Sequence, residues 1–155
     1  MVTRGFFVAL ACLRIVAGAS LLLSGLHKLS WFSSTVPLDL QLAGWSLHPA
    51  NVVVAKYLSM AASHHGLFAR LAVLGELGLG ALLVAGFLTP LAAILAFVMV
   101  LQFQLASGQL FSLSYLRGQS ALTYLLVYPV LFFGRAGTAL GVDGFLSRRP
   151  HSAAG

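Results

Sequence analysis

Apolar residues run along this chain in long unbroken stretches, and polar ones gather between the stretches and at a few isolated points inside them. The first stretch is Phe6 to Leu26, interrupted only by Arg14 and small polar residues. The second is Leu71 to Leu88 ("LAVLGELGLGALLVAGFL") and the third Leu91 to Ala106 ("LAAILAFVMVLQFQLA"). A fourth covers Ala121 to Phe133 and extends back towards Gly118. A helix crossing a bilayer needs about 20 predominantly apolar residues. The pattern therefore predicts an all-α fold, an integral membrane four-helix bundle with spans at about 6–27, 68–88, 90–107 and 118–136. One transmembrane domain covers 1–147, and 148–155 forms a short basic tail. Only Thr89 and Pro90 separate the second and third stretches, which reads as a hairpin with Pro at a helix start, where its missing N–H costs nothing.

The residues at 28–67 are too apolar for a plain loop. "WFSSTVPLDLQLAGW" carries Trp31, Phe32 and Trp45, side chains that settle at headgroup level, and Asn51 is placed to cap a short surface helix over "VVVAKYLSMAAS". A partly helical aromatic cap on the outer face is expected, with a surface for a protein partner. Arg4 followed by an apolar run and "AGA" imitates a signal peptide, but Arg14 breaks the core of that run and Leu21, Leu22 and Leu23 continue it past the cleavage point. The first helix is expected to be retained.

Composition narrows the class. Hydrophobic residues make up 59% and charged residues 8%, against about 25% charged in soluble domains. The net charge of +6 fits contact with anionic lipid headgroups, and no basic recognition helix points to nucleic acid. Four spans place both termini on one side. Arg4 at one end and Arg135, Arg148 and Arg149 at the other favour the cytoplasmic side of a bacterial inner membrane. Cys12 is the single cysteine, so an internal disulfide or a CxxC relay is excluded. The histidines follow no metal-ligand spacing, so no metal is expected.

The isolated polar residues carry the candidate chemistry. At 1.5 Å of rise per residue, counted from the inner end of each run, Arg14 comes out about 12 Å up and Glu76 about 18 Å. Gln102 and Gln104 come out at about 16 and 20 Å, and Tyr124 at about 14 Å. This predicts one mid-membrane polar layer. Glu76 is the sole acid within a span, since Asp39 and Asp143 lie outside, so Arg14 is expected to pair with it, braced by Gln102 and Tyr124. Such a pair predicts that removing both charges is milder than removing Arg14 alone. Two readings stand side by side. The layer is a structural clasp between helices, or it binds a polar head such as a quinone ring and exchanges protons through Glu76. Gln102, Gln104 and Tyr124 would then hold the ligand. His27, Lys28, Lys56, His64 and His65 fall at the outer face, where they would contact an anion or a partner.

These residues resemble the DoxX family of membrane proteins. "LRIVAGASLLLSGLHKL" is similar to the family's first helix, "GELGLGALLVAGFLTPLAA" to its glycine-flanked Glu and Gly-x-x-Thr turn, and "GRAGTALGVDGFLSRR" to its Gly-rich end leading to an Asp and a basic tail. Pro90 stands where many relatives have Arg, and the aromatic segment is longer than in minimal members. The resemblance directs attention to Arg14, Lys28, Glu76 and Asp143. It implies a membrane subunit of a redox system, related to the membrane subunits of thiosulfate:quinone oxidoreductase, that links an electron donor such as a sulfur compound to the quinone pool. The chain carries no motif for an electron-carrying cofactor, so electrons would come from a partner or substrate at the outer cap. The alternative is a non-catalytic anchor or assembly subunit of a larger complex. A transporter fits less well, because the polar residues do not form a path across the membrane.

Overall fold

Arg14 and Glu76, expected to meet, lie at opposite ends of a helical bundle. A computed structural model describes residues 4–108, 110, 120–138 and 140–147, mostly helix with no strand among them. The helices are α1 (Arg4–His27), α2 (Val36–Ser46), α3 (Val52–Ser63), α4 (His65–Ala85), α5 (Thr89–Ala106), α6 (Ser120–Phe133) and α7 (Val142–Ser147), with 3-10 turns at Leu29–Phe32 and Ala136–Thr138. Among the described residues three helices, α1, α4 and α5, are long and apolar enough to cross a membrane. α6 packs along α5 and touches α1, but its 14 residues span only about 21 Å. The start of the expected fourth span, 118–119, lies outside the described residues, as does the tail with Arg148 and Arg149.

The bundle is built on the antiparallel pair α1 and α4. Membrane helices gain little from hydrophobicity against one another, so close backbone approach through small residues takes its place. Gly18 and Gly80 supply it. A Cβ at Gly18 would sit 2.8 Å from the Val84 nitrogen, and one at Gly80 would sit 2.8 Å from the Leu22 nitrogen. Gly25 meets the Leu77 side chain on the same face, whereas Gly78 looks into open space. Along the opposite face of α5, Ala92, Ala93 and Ala96 are fully buried, with Leu83 and Leu131 packed in the same core.

The segment between α1 and α4 folds into a cap with a core of its own. Asn51 caps α3 as expected, its Oδ1 accepting from Val54 N–H at 2.9 Å. Leu38, Leu42, Val54 and Leu58 close over Ala69, Val73 and Ala106 of the bundle. Trp31 departs from expectation. It is only 5% exposed and turned into this core rather than outward, because the 3-10 turn after Lys28 folds it back onto α4. Trp45 packs partly buried against the same cluster, and Phe32 is exposed.

Candidate functional site

At the end away from the cap, Arg14 and the last acidic residue of the chain, Asp143, are brought together. α4 stops at Gly86, whose left-handed φ of 68° closes the helix with N–H bonds to the carbonyls of Leu82 and Leu83. Leu88, at φ 48°, then turns the chain into α5, with Pro90 at its second position as expected. The exposed N–H groups of this turn are taken by Asp143 of α7: Leu88 N–H donates to Oδ1 at 2.8 Å and Thr89 N–H to Oδ2 at 2.9 Å. A carboxylate at a helix N-terminus also meets the positive end of the helix dipole. Arg14 lies in the same place. Its Nη1 donates to the Ala136 carbonyl at 2.9 Å and its Nη2 to the Leu140 carbonyl at 3.2 Å, with Asp143 as a nearby counter-charge. A Cβ at Gly86 or Gly141 would run into the guanidinium, so both positions must be bare for Arg14 to reach the turn.

The expected pair of Arg14 with Glu76 is therefore corrected. Gly86 packs on Arg14, and Glu76 stands ten residues earlier on α4, about 15 Å away along the helix. The depth count failed because it took Phe6 as the membrane boundary. α1 runs past the other helices at that end, its residues 4–9 are exposed, and Arg14 sits level with the turn instead of mid-bundle.

Glu76 has another partner. Its Oε1 forms an ion pair with Lys28 Nζ, at the cap end of α1. Lys28 also donates to Ser24 Oγ at 3.2 Å, and its ammonium lies 5.5 Å from the Trp31 ring and 5.3 Å from the Phe103 ring. Cation and ring quadrupole attract at such distances, more so where water is scarce. Lys28 is thus drawn inward from the outer face where the sequence placed it. Glu76 Oε2 is different: it is buried and has no hydrogen-bond partner among the described residues. The side chain as a whole is 6% exposed.

These groups border a cavity of about 390 Å³ between α1, α4, α5 and α6. Ser20 and Ser24 of α1 and Lys28 just beyond it face it with Glu76, Gln104 and Tyr128, and Leu21, Met99, Val100 and Phe103 form its apolar walls. Its size lies within the range of small-molecule sites, and a mostly apolar lining with a few convergent polar groups is their usual make-up.

The other sequence-derived candidates divide. Gln104 lines the cavity, but Gln102 does not: it borders a separate apolar pocket of about 160 Å³ with Asn51, Val54 and Tyr57 of the cap. Two residues apart on a helix means about 200° apart around it, so the two amides could never share a target. Tyr124 lies on α6, but its side chain is outside the described residues. His27 is exposed and bonds the Leu23 carbonyl at 2.8 Å, and His64 reaches the Met60 carbonyl at 3.1 Å. His65 turns instead to Asp39, its Nδ1 2.6 Å from Oδ1, tying α2 to the start of α4. That bond, supported by the Thr35 hydroxyl, holds the Asp39 carboxyl below its usual range. Lys56 is exposed on α3. Burial raises the Tyr57 phenol, which packs edge-on to Phe68. Among the described residues no group of His, Cys, Asp and Glu is arranged to hold a metal ion.

Sequence reasoning missed Ser20, Ser24, Met99 and Tyr128 as cavity residues. The signal for two of them was present: Ser20, Ser24 and Lys28 recur every four residues along one helix face.

The family model described as DoxX matches residues 9–107, from α1 through the cap to the end of α5. No curated protein and no solved structure matches the chain.

Proposed function

The chain belongs to the DoxX family, and from that premise we propose that it is a membrane subunit of a redox system linked to the quinone pool. In this reading α6 crosses the membrane as the fourth helix of the bundle, and both termini lie on the cytoplasmic side of the inner membrane. The cavity beside Glu76 and Lys28 receives the quinone head. The observation that carries the reading is the buried Glu76 oxygen without a partner among the described residues, on a side chain that borders a cavity with apolar walls. An unsatisfied buried acceptor costs free energy unless something meets it.

The residues fit a quinone. Phe103, Met99, Val100 and Leu21 provide apolar walls, and Ser20, Ser24, Gln104 and Tyr128 supply polar atoms for the ring oxygens. Glu76 is the group able to hold or pass a proton at the ring, with Lys28, itself braced by Ser24, fixing the carboxylate. The quinone itself supplies the two-electron chemistry. Electrons would reach it from a partner or substrate at the cap, where Lys56, His64 and Arg70 are exposed to meet an anionic surface or a sulfur oxyanion. Trp31 joins the two regions, being part of the cap core and also beside Lys28.

Purification from native membranes in mild detergent, followed by mass spectrometry of retained lipids and proteins, tests this reading. Bound quinone or hydroquinone in wild type, lost when Met99→Trp fills the cavity, supports it. A stable protein complex with no quinone in either would instead favour a non-catalytic anchor.

A further inference from the structure

The cavity's polarity goes one step further than its size, and the step rests on the quinone reading above. We propose that the site selects a head group that donates an O–H, so that it holds the reduced hydroquinone in preference to the oxidised quinone.

The argument turns on which way each polar group can bond. Glu76 Oε1 is engaged by Lys28, and Oε2 faces no donor among the described residues. In an ion pair the carboxylate offers lone pairs only. Whatever satisfies Oε2 must therefore bring a hydrogen. A hydroquinone hydroxyl does so and forms a charge-assisted bond, the stronger kind. A quinone carbonyl sets lone pairs against lone pairs and leaves the buried acceptor unmet. Ser20 and Ser24 do not discriminate, because a hydroxyl donates or accepts as required. Lys28 directs its ammonium to Glu76 and Ser24 under the Trp31 and Phe103 rings, so it does not reverse the preference. Glu76 is the acceptor-only group of the site, and Lys28, which only donates, serves a hydroxyl oxygen and a carbonyl alike.

The two forms of the ligand differ by two electrons and two protons. A site that binds the reduced form tenfold more tightly raises the midpoint potential of the bound couple by about 30 mV. Such a site draws electrons onto the ring, as a subunit delivering electrons to the pool requires.

The test uses the full chain, purified free of quinone and placed in nanodiscs of phosphatidylcholine. A short-chain benzoquinone and its hydroquinone, the latter held reduced under anaerobic conditions, are titrated separately by calorimetry. Wild type is expected to bind the hydroquinone at least tenfold more tightly. In Glu76→Gln, whose carboxamide offers a donor to a carbonyl, the ratio should fall to about one or invert. Equal affinities in wild type, or tighter binding of the quinone, would overturn the inference and leave the quinone reading standing. Binding of neither form would overturn both. Displacement of the hydroquinone by added phosphatidylglycerol, a lipid that also carries O–H donors, would identify a lipid head as the occupant and overturn the inference as well. The wild-type comparison decides the matter even if the variant folds poorly.

Discussion

The two ends of the bundle use charge in opposite ways. At the turn between α4 and α5, Arg14 and Asp143 are directed at the main chain: the guanidinium meets the carbonyls of Ala136 and Leu140, and the carboxylate meets the N–H groups of Leu88 and Thr89. The carboxylate thereby satisfies N–H groups that the start of α5 leaves bare. Bare glycines at 86 and 141 pack against the guanidinium. At the cap end, Lys28 and Glu76 meet each other, and one carboxylate oxygen is left over beside a cavity of about 390 Å³. Charge that closes a fold is consumed by the backbone. Charge at the cap end is paired side chain to side chain, with Glu76 Oε2 unmet among the described residues.

Substitution at the two ends should separate stability from binding. Arg14→Leu is expected to have the largest effect, a loss of about 3 kcal/mol, in line with hydrogen bonds from a buried charged group. Unfolding in detergent would measure it, together with faster proteolysis of the segment after Phe133. Asp143→Ala removes a helix cap from a distance and should cost about 1 to 2 kcal/mol. The double variant of Arg14→Leu and Glu76→Gln should show additive losses within about 0.5 kcal/mol, as for sites far apart. The same cycle between Lys28→Met and Glu76→Gln should be clearly non-additive. Coupling between Arg14 and Glu76 would break the comparison. The smallest effect belongs to the exposed Asp39–His65 contact. Because that contact lowers the Asp39 carboxyl, its contribution is present above the ordinary carboxylate pKa and is lost as pH falls through the lowered one. Asp39→Asn should therefore change stability slightly near neutral pH and not at all in strong acid, as pH-dependent unfolding would show.

Much of this was legible in the chain, and the reasons for the misses are specific. Long apolar runs gave α1, α4 and α5, because length and hydropathy are what a bilayer demands. Asn51 and Pro90 marked helix starts through local chemistry that holds whatever the surroundings. The resemblance drew attention to Arg14, Lys28, Glu76 and Asp143, and each proved to hold a defined contact. What the sequence could not show was which of the four meet. Opposite charges at similar counted depths suggested Arg14 with Glu76, but depth depends on where α1 begins relative to α4, and that offset is set by the Gly18–Gly80 contact. Lys28 looked like a surface cation because it follows the last apolar residue of its run. Its inward turn depends on Trp31 and Phe103, which are remote from Glu76 in sequence. The Gln102 error was avoidable, since helical angle alone separates it from Gln104.

The most direct test pairs two measurements on Glu76→Gln: thermal unfolding and titration with a short-chain benzoquinone and its hydroquinone. The account predicts a smaller fall in melting temperature than Arg14→Leu causes, together with loss of the hydroquinone preference. A variant that unfolds as readily as Arg14→Leu, in a protein whose wild type binds neither form, would show that the cap-end pair closes the fold just as the far end does.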